Sequence, residues 1–362
     1  MRKLLLTTAI ASATLVASNA VAQTTVTGSL SMIYKGASID AASDINGGRG
    51  FGRESQLNIQ NKGKLNNGID YAAGFALEFD GGQSNDASNE NLYIDFILPS
   101  KTTITVGQDH IQNTNRTKGN FVGYDATDLS DGANASTKSA FIQSAGIDVA
   151  QFTGIGIVQN TPFGNLSFNY APTVSNAATG ISNTNNGTWG TGSGTNGYLG
   201  AGDTSFTETN GEGSYEIGFD GNLGVKGLGV HYFYNESPKN SGAVLTRDHK
   251  GLNYGVSYNM GDITAGYNRK ETEIGTTAST DLKQDEFGLA FAVSKEVTLG
   301  ANYTKVDNNQ SGKVDAKSKS ISVGYNLGPV ALTGQFAKME AIDNVSTTKD
   351  MDVVVIRALA AF

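Results

Sequence analysis

The chain has 362 residues, a formal net charge of −8, no cysteine, and 46 glycines against 5 prolines. Without thiols there is no disulfide framework, no lipidated cysteine anchor and no cysteine-based metal site or nucleophile. The acidic balance argues against a nucleic-acid partner.

At the start, Arg2 and Lys3 precede an apolar run from Leu4 to Val16, and Ala20-Val21-Ala22 supplies a small-residue cleavage site. This predicts a secretory signal peptide over 1–22 and a single exported domain over 23–362, whose charge falls from −8 to −10 once Arg2 and Lys3 are removed. Beyond it, no apolar run approaches the ~20 residues that a spanning helix requires.

Alternation with period two begins at once. Val26, Leu30, Met32 and Tyr34 fall on one face, and Thr25, Thr27, Ser29, Ser31 and Lys35 on the other. The same rhythm predicts strands near 24–35, 53–61, 68–79, 90–97, 102–108, 151–159, 165–171, 213–220, 227–235, 251–259, 262–270, 284–293, 296–304, 318–326, 329–338 and 351–362. That is sixteen, with fourteen and eighteen the neighbouring even counts. Short turns at Lys62–Asn67, Pro99–Lys101, Thr161–Gly164, Met260–Gly261, Ser294–Lys295 and Leu327–Gly328 alternate with longer polar connections.

The small faces decide the architecture. Asn253, Gly255, Ser257 and Asn259 in one strand, and Thr298, Gly300, Asn302 and Thr304 in another, lack the Lys and Glu that solvent-facing strands of soluble proteins carry. Such faces suit the wall of a water-filled lumen, with the large residues turned to lipid. The expected fold is all-β, a transmembrane antiparallel barrel, which leaves no backbone group unpaired in lipid. The closing segment "VVVIRALAAF" then forms a full strand with Val354, Ile356, Ala358, Ala360 and Phe362 on the lipid face. Parity points Lys35, Gln56, Glu78, Asp95, His231, Lys270, Glu286 and Arg357 inward, while Arg49 and Arg53 precede the second strand as rim charges.

Several stretches resemble the general diffusion porins of Gram-negative outer membranes. "SQLNIQNKGKLNNGIDYAAGFALEFD" from Ser55 to Asp80 is similar to that family's second and third strands, and "NLYIDFILPSKTTITVGQDH" to its next hairpin. "GIVQNTPFGNLSFNYAP" from Gly156 to Pro172 is similar to the hairpin after the third loop. The resemblance implies a homotrimer of sixteen-stranded barrels in the outer membrane, open to small hydrophilic solutes and ions. It also implies a barrel-assembly signal at the terminal Phe362 that the assembly machinery reads. Gln56 stands where members often carry a wall arginine, and Ala360 where they carry an aromatic.

The resemblance further implies a long third loop, about 108–150, folded into the lumen. It contains Asp109 and, in "GYDATDLSDG", Asp125, Asp128 and Asp131, with Arg116, Lys118 and Lys138 as counter-charges. Carboxylates in a narrow, low-dielectric passage attract cations, so a mild cation selectivity is expected; the competing reading is a solvated acidic loop. The three-residue spacing does not match a calcium loop.

Gly192, Gly194 and Gly197 form a G-x-G-x-x-G within a Gly/Asn/Thr-rich loop that includes Trp189, but no strand-to-helix context surrounds them, so no nucleotide cofactor is expected. A barrel enzyme would need a serine beside His110, His231 or His249, and strand parity supplies none. A substrate-selective channel would show a line of aromatic or basic residues through the lumen. A secreted β-rich adhesin would fit the composition but not the terminal Phe362.

Overall fold

The computed structural model describes residues 23–40, 48–80, 88–108, 154–171, 176–177, 180–181, 214–237, 249–273, 281–308, 314–341 and 350–362. Residues 1–22, Asp109, His110, Asp125, Asp128 and Asp131 lie outside them, as does the rest of the expected third loop.

The first seven strands are β1 (Gln23–Asp40), β2 (Arg49–Lys64), β3 (Asp70–Asp80), β4 (Ser88–Ile97), β5 (Thr102–Gln108), β6 (Gly154–Thr161) and β7 (Gly164–Ala171). Two dipeptides, β8 (Asn176–Ala177) and β9 (Gly180–Ile181), pair with each other. The remainder are β10 (Ser214–Gly221), β11 (Leu228–Ser237), β12 (His249–Asn259), β13 (Ile263–Glu273), β14 (Leu282–Ala292), β15 (Val297–Asn308), β16 (Ala316–Asn326), β17 (Val330–Glu340) and β18 (Asp350–Ala361).

Sixteen of these, all but β8 and β9, form one closed barrel in which every strand pairs antiparallel with its chain neighbours. Closure comes from β1 against β18, in register from Ser29 opposite Ala361 to Asp40 opposite Asp350. The barrel sheet therefore has no free edge, which is what a membrane-spanning sheet needs.

Local sequence explains the tight end. Asn222-Leu-Gly224, Asn259-Met-Gly261 and Asn326-Leu-Gly328 repeat one device: the asparagine Oδ1 accepts the glycine N–H at 3.0, 3.3 and 2.9 Å, and each glycine adopts a positive φ. The asparagine side chain mimics a backbone turn, and glycine takes the left-handed conformation without steric cost.

Strand limits differ from the expectation in two places. The β2–β3 pairing runs on to Lys64 opposite Asp70, which moves the turn from 62–67 to 65–69. At its other end β2 starts at Arg49, because β1 is long enough to pair Gly36 with Arg49 and Met32 with Arg53. Arg49 and Arg53 therefore stand within a strand, on the outward face with Met32, and not on a rim before it.

Outward residues are large and exposed: Leu30, Met32, Phe79, Val256, Phe287, Leu289, Leu299, Val354 and Ile356 among them. For a water-soluble protein so continuous an apolar surface would be an aggregation hazard; around a barrel it is the lipid-facing band. The inward face is mostly small and polar, with one departure from the expected polar wall. Ile33, Val306, Ala316, Met339, Met351 and Val353 form a buried apolar cluster on the inside of β1 and β15–β18, near the long-connection end.

Candidate functional site

Strand parity fixes which side chains line the barrel, because residues paired across strands share a face. Starting from inward Ser29, register carries the inward face to Gln56 on β2 and then Glu78 on β3. Past a bulge between Gly74 and Ala76 it reaches Asp95 on β4 and Thr105 on β5. On the far side it passes through Glu216, Asn235, Asn253, Lys270, Gln284 and Val306. Lys35, His231, Glu286 and Arg357 fall on this same face. All eight residues expected to point inward therefore share the face opposite the exposed apolar band.

They do not form one cluster. On β18, Arg357 donates from Nε to Ser31 Oγ at 2.9 Å, and its Nη2 lies 3.7 Å from Glu54 Oε2. This anchors a guanidinium across the closing seam, with Gln56 and Lys35 on the neighbouring strands. A second group spans β2 to β5: Gln60 donates to the Tyr93 hydroxyl, and Thr105 Oγ1 donates to Asp95 Oδ1 at 2.6 Å.

The third group is a buried polar network over β7–β14. Asn169 Nδ2 donates to Glu216 Oε1 at 3.3 Å. His231 Nε2 lies 2.9 Å from Asn268 Oδ1 and 3.3 Å from Asn253 Oδ1. Asn268 is oriented by its own donation from Nδ2 to Glu286 Oε2 at 2.8 Å, so its carboxamide oxygen faces Nε2, which suits the tautomer with the hydrogen on that nitrogen. Glu286 also accepts from Gln284 and from Lys270 Nζ, the latter at 2.8 Å, where both side chains are nearly solvent-free. Glu286 thus gathers three donors, which is how a buried carboxylate and ammonium are accommodated.

In the sequence His231, Lys270 and Glu286 stand apart as single inward residues. The carboxamides that join them, Asn253 and Asn268, were visible only as small polar residues, and cross-strand register was the signal that could have linked them. His231 Nε2 meets the carboxamide oxygens of Asn253 and Asn268 on this network. His249 opens β12, and the described residues contain no cluster of three metal-ligating side chains.

Comparison with known proteins gives a consistent result. The profile of the Gram-negative porin family matches residues 7–351. Among solved structures, a multiply substituted variant of the porin of Rh. blastica superposes with a TM-score of 0.59 at 14% identity, covering 94% of this chain and all of that one. A loop-deletion variant of OmpT, an outer membrane protein of Vibrio cholerae, gives 0.60 at 12% identity, covering 95% of this chain and all of that one. At such identities these structures speak for the fold. A search of curated proteins gives no match.

Proposed function

The chain belongs to the Gram-negative porin family and is an outer-membrane barrel protein, and on that premise we propose a passive channel for small hydrophilic solutes and ions, mildly cation-selective and without chemical turnover. The observation that carries this reading is the division of the barrel wall into an inward polar face and an outward apolar one.

The inward charges support the sign of the selectivity. Three inward cations stand in ion pairs, Lys64 with Asp70, Lys270 with Glu286 and Arg357 with Glu54. Among the described residues the inward face also carries the acids Glu78, Asp95, Glu216 and Asp220 and the cations Lys35 and Lys62. An excess of carboxylates along a narrow aqueous path lowers the energy of a cation there and raises that of an anion. Asp109, Asp125, Asp128 and Asp131 would add to that bias if their connection folds inward.

A homotrimer belongs to the same reading. The outward faces of β18, β1, β2 and β3 present Val354, Ile356, Leu30, Met32, Leu57 and Phe79, a sector suited to packing against a second and third copy. Removal of residues 1–22 and recognition of Phe362 by the assembly machinery complete it.

The test is single-channel recording of refolded 23–362 protein in a planar bilayer under a salt gradient. Ohmic steps that close in thirds, with a reversal potential favouring cations, are expected. Silence from folded, inserted protein would overturn the channel; a potential favouring anions would overturn the selectivity alone.

A further inference from the structure

The inward polar wall is of two kinds. Across β10–β14 its side chains are closed off and engaged with one another: Glu216, His231, Asn253, Asn268, Lys270 and Gln284 are at most 2% exposed and belong to the β7–β14 network. A solute gains little from groups already bonded. On β1 and β2 the inward side chains are only half-buried. Among the described residues none hydrogen-bonds the side chains of Thr25, Thr27, Ser29, Gln56 or Asn58.

Register stacks these groups into rungs. Ser29 stands opposite Gln56, Thr27 opposite Asn58 and Thr25 opposite Gln60, so each step pairs a hydroxyl with a carboxamide. Gln60 donates to the Tyr93 hydroxyl, which fixes the lowest rung. Small residues border the upper two, Ala361 opposite Ser29 on β18 and Ala76 opposite Asn58 on β3.

Charge is ordered along the same line. Within one step of the upper rung, toward the long connections, Glu78 stands opposite Gln56 and Glu54 follows on β2. Arg357 lies 3.7 Å from Glu54, which leaves two carboxylates to one guanidinium there, and Lys35 comes two steps higher on β1. At the lower end Lys62 is exposed one step below Gln60, and Lys64 beyond it pairs with Asp70 at 2.6 Å. That end holds two ammonium groups to one carboxylate. Asp95, in the row of Lys62 but two strands away, is buried and turned to Thr105. The Phe362 carboxyl is bound by Gly28 N–H midway along, on the β18 side. The line therefore runs from a negative upper end to a positive lower end.

Period and polarity together select an occupant. The rungs repeat every two residues, about 7 Å. An extended peptide has the same repeat, because the N–H and C=O of every second residue point to one edge. A carboxamide and a hydroxyl together supply donors and acceptors for one such pair. Six residues separate Gln56 from Lys62, about 20 Å, which is the reach of an extended peptide of about six residues. A saccharide matches neither the two-residue period nor the two charged ends.

We propose that the rungs of β1 and β2, with Glu78 and Lys62 at their ends, form a lumenal track for short extended peptides with free termini, the amino end toward the long connections. The inference rests on the channel reading and adds a substrate class to it.

Single-channel recording of refolded 23–362 protein in a planar bilayer tests this. The current is interrupted with a hexapeptide of alternating serine and alanine, with the same peptide amidated at its C-terminus, or with maltohexaose. Blockades by the free peptide should last about tenfold longer than those by maltohexaose and about threefold longer than those by the amidated form. Q56A/N58A should lose the tenfold preference, and N58A alone about a third of that effect on a logarithmic scale. K62Q should bring the free peptide down to the amidated one and leave the latter unchanged. S322A/T333A, which removes inward hydroxyls on β16 and β17, should alter neither. Equal dwell times in the wild type and Q56A/N58A would overturn the ladder. Longer blockades by maltohexaose would overturn the peptide in favour of a carbohydrate. Open channels that no solute interrupts would overturn the track and leave the channel reading intact, whereas silence from inserted protein would overturn both.

Discussion

Gly28 and Phe362 exchange both backbone hydrogen bonds: Gly28 N–H donates to the Phe362 carbonyl at 2.7 Å, and Phe362 N–H donates to the Gly28 carbonyl at 3.0 Å. The Phe362 ring occupies the space where a side chain at position 28 would stand, with Cζ 2.5 Å from an ideal Cβ. The last residue of the chain is thereby fixed into the seam that closes the barrel, and the glycine opposite makes room for its ring. Gly28→Ala must push the ring aside, and Phe362→Ala removes it. Each should cost about 1–2 kcal/mol, but Gly28→Ala should be nearly neutral in the Phe362→Ala background, because the steric conflict is gone. Urea unfolding of the four proteins in lipid vesicles measures this; additive losses would mean that the ring and the glycine do not interact.

The buried ammonium of Lys270 should be held by Glu286 more firmly than a surface pair would be. Removing one partner strands the other charge in a dry environment, so Lys270→Met should destabilise the barrel by about 3 kcal/mol. Neutralising Glu286 as well, in Lys270→Met/Glu286→Gln, keeps acceptors for Asn268 and Gln284 and should restore most of that loss. The urea midpoints of the two variants decide: equal destabilisation would show that charge burial is not the source of the cost.

The turn at Asn326-Leu-Gly328 offers a local control. Gly328 has φ +87° with open space around an added Cβ, so Gly328→Ala tests backbone conformation and not packing. It should cost about 1–2 kcal/mol, whereas Gly324→Ala, in the same hairpin at ordinary φ with its nearest contact at 3.9 Å, should be tolerated. Comparable unfolding midpoints for both variants would remove the left-handed turn as the cause.

How much of this was legible in the sequence depends on how local each feature is. Alternation is a property of neighbours i and i+2, so the strands, their faces and the count of sixteen followed from the residue pattern. The inward placement of Lys35, Asp95 and Arg357 followed from the same rule. The start of β2 at Arg49 did not, because pairing to the unusually long β1 draws the strand outward past its own apolar residues. Nor did the inward apolar cluster of Val306, Met339, Met351 and Val353 stand out, since in β18 both faces carry valine and parity alone gives no contrast. The opposed pairs Lys305–Lys317 and Lys319–Lys338 were hidden for a third reason: their members lie on three strands, and only register brings them together.

Ion preference separates the contributions of the wall and the long connection. Glu78→Gln/Asp95→Asn removes two inward carboxylates on β3 and β4, and Asp125→Asn/Asp128→Asn/Asp131→Asn removes the acids of the segment expected to fold inward. Each set should lower the cation-to-anion permeability ratio roughly twofold, since each withdraws negative potential from the path. Arg357→Gln works in the opposite direction, because it leaves Glu54 without its cation at 3.7 Å, and should raise the ratio. Reversal potentials under a salt gradient read all three, with single-channel conductance confirming that each variant still inserts. If the wall variant shifts and the triple variant does not, the selectivity resides in the barrel wall, and the acidic segment does not line the narrow part of the path. The reverse pattern would locate the filter in the connection and reduce the wall charges to a background field.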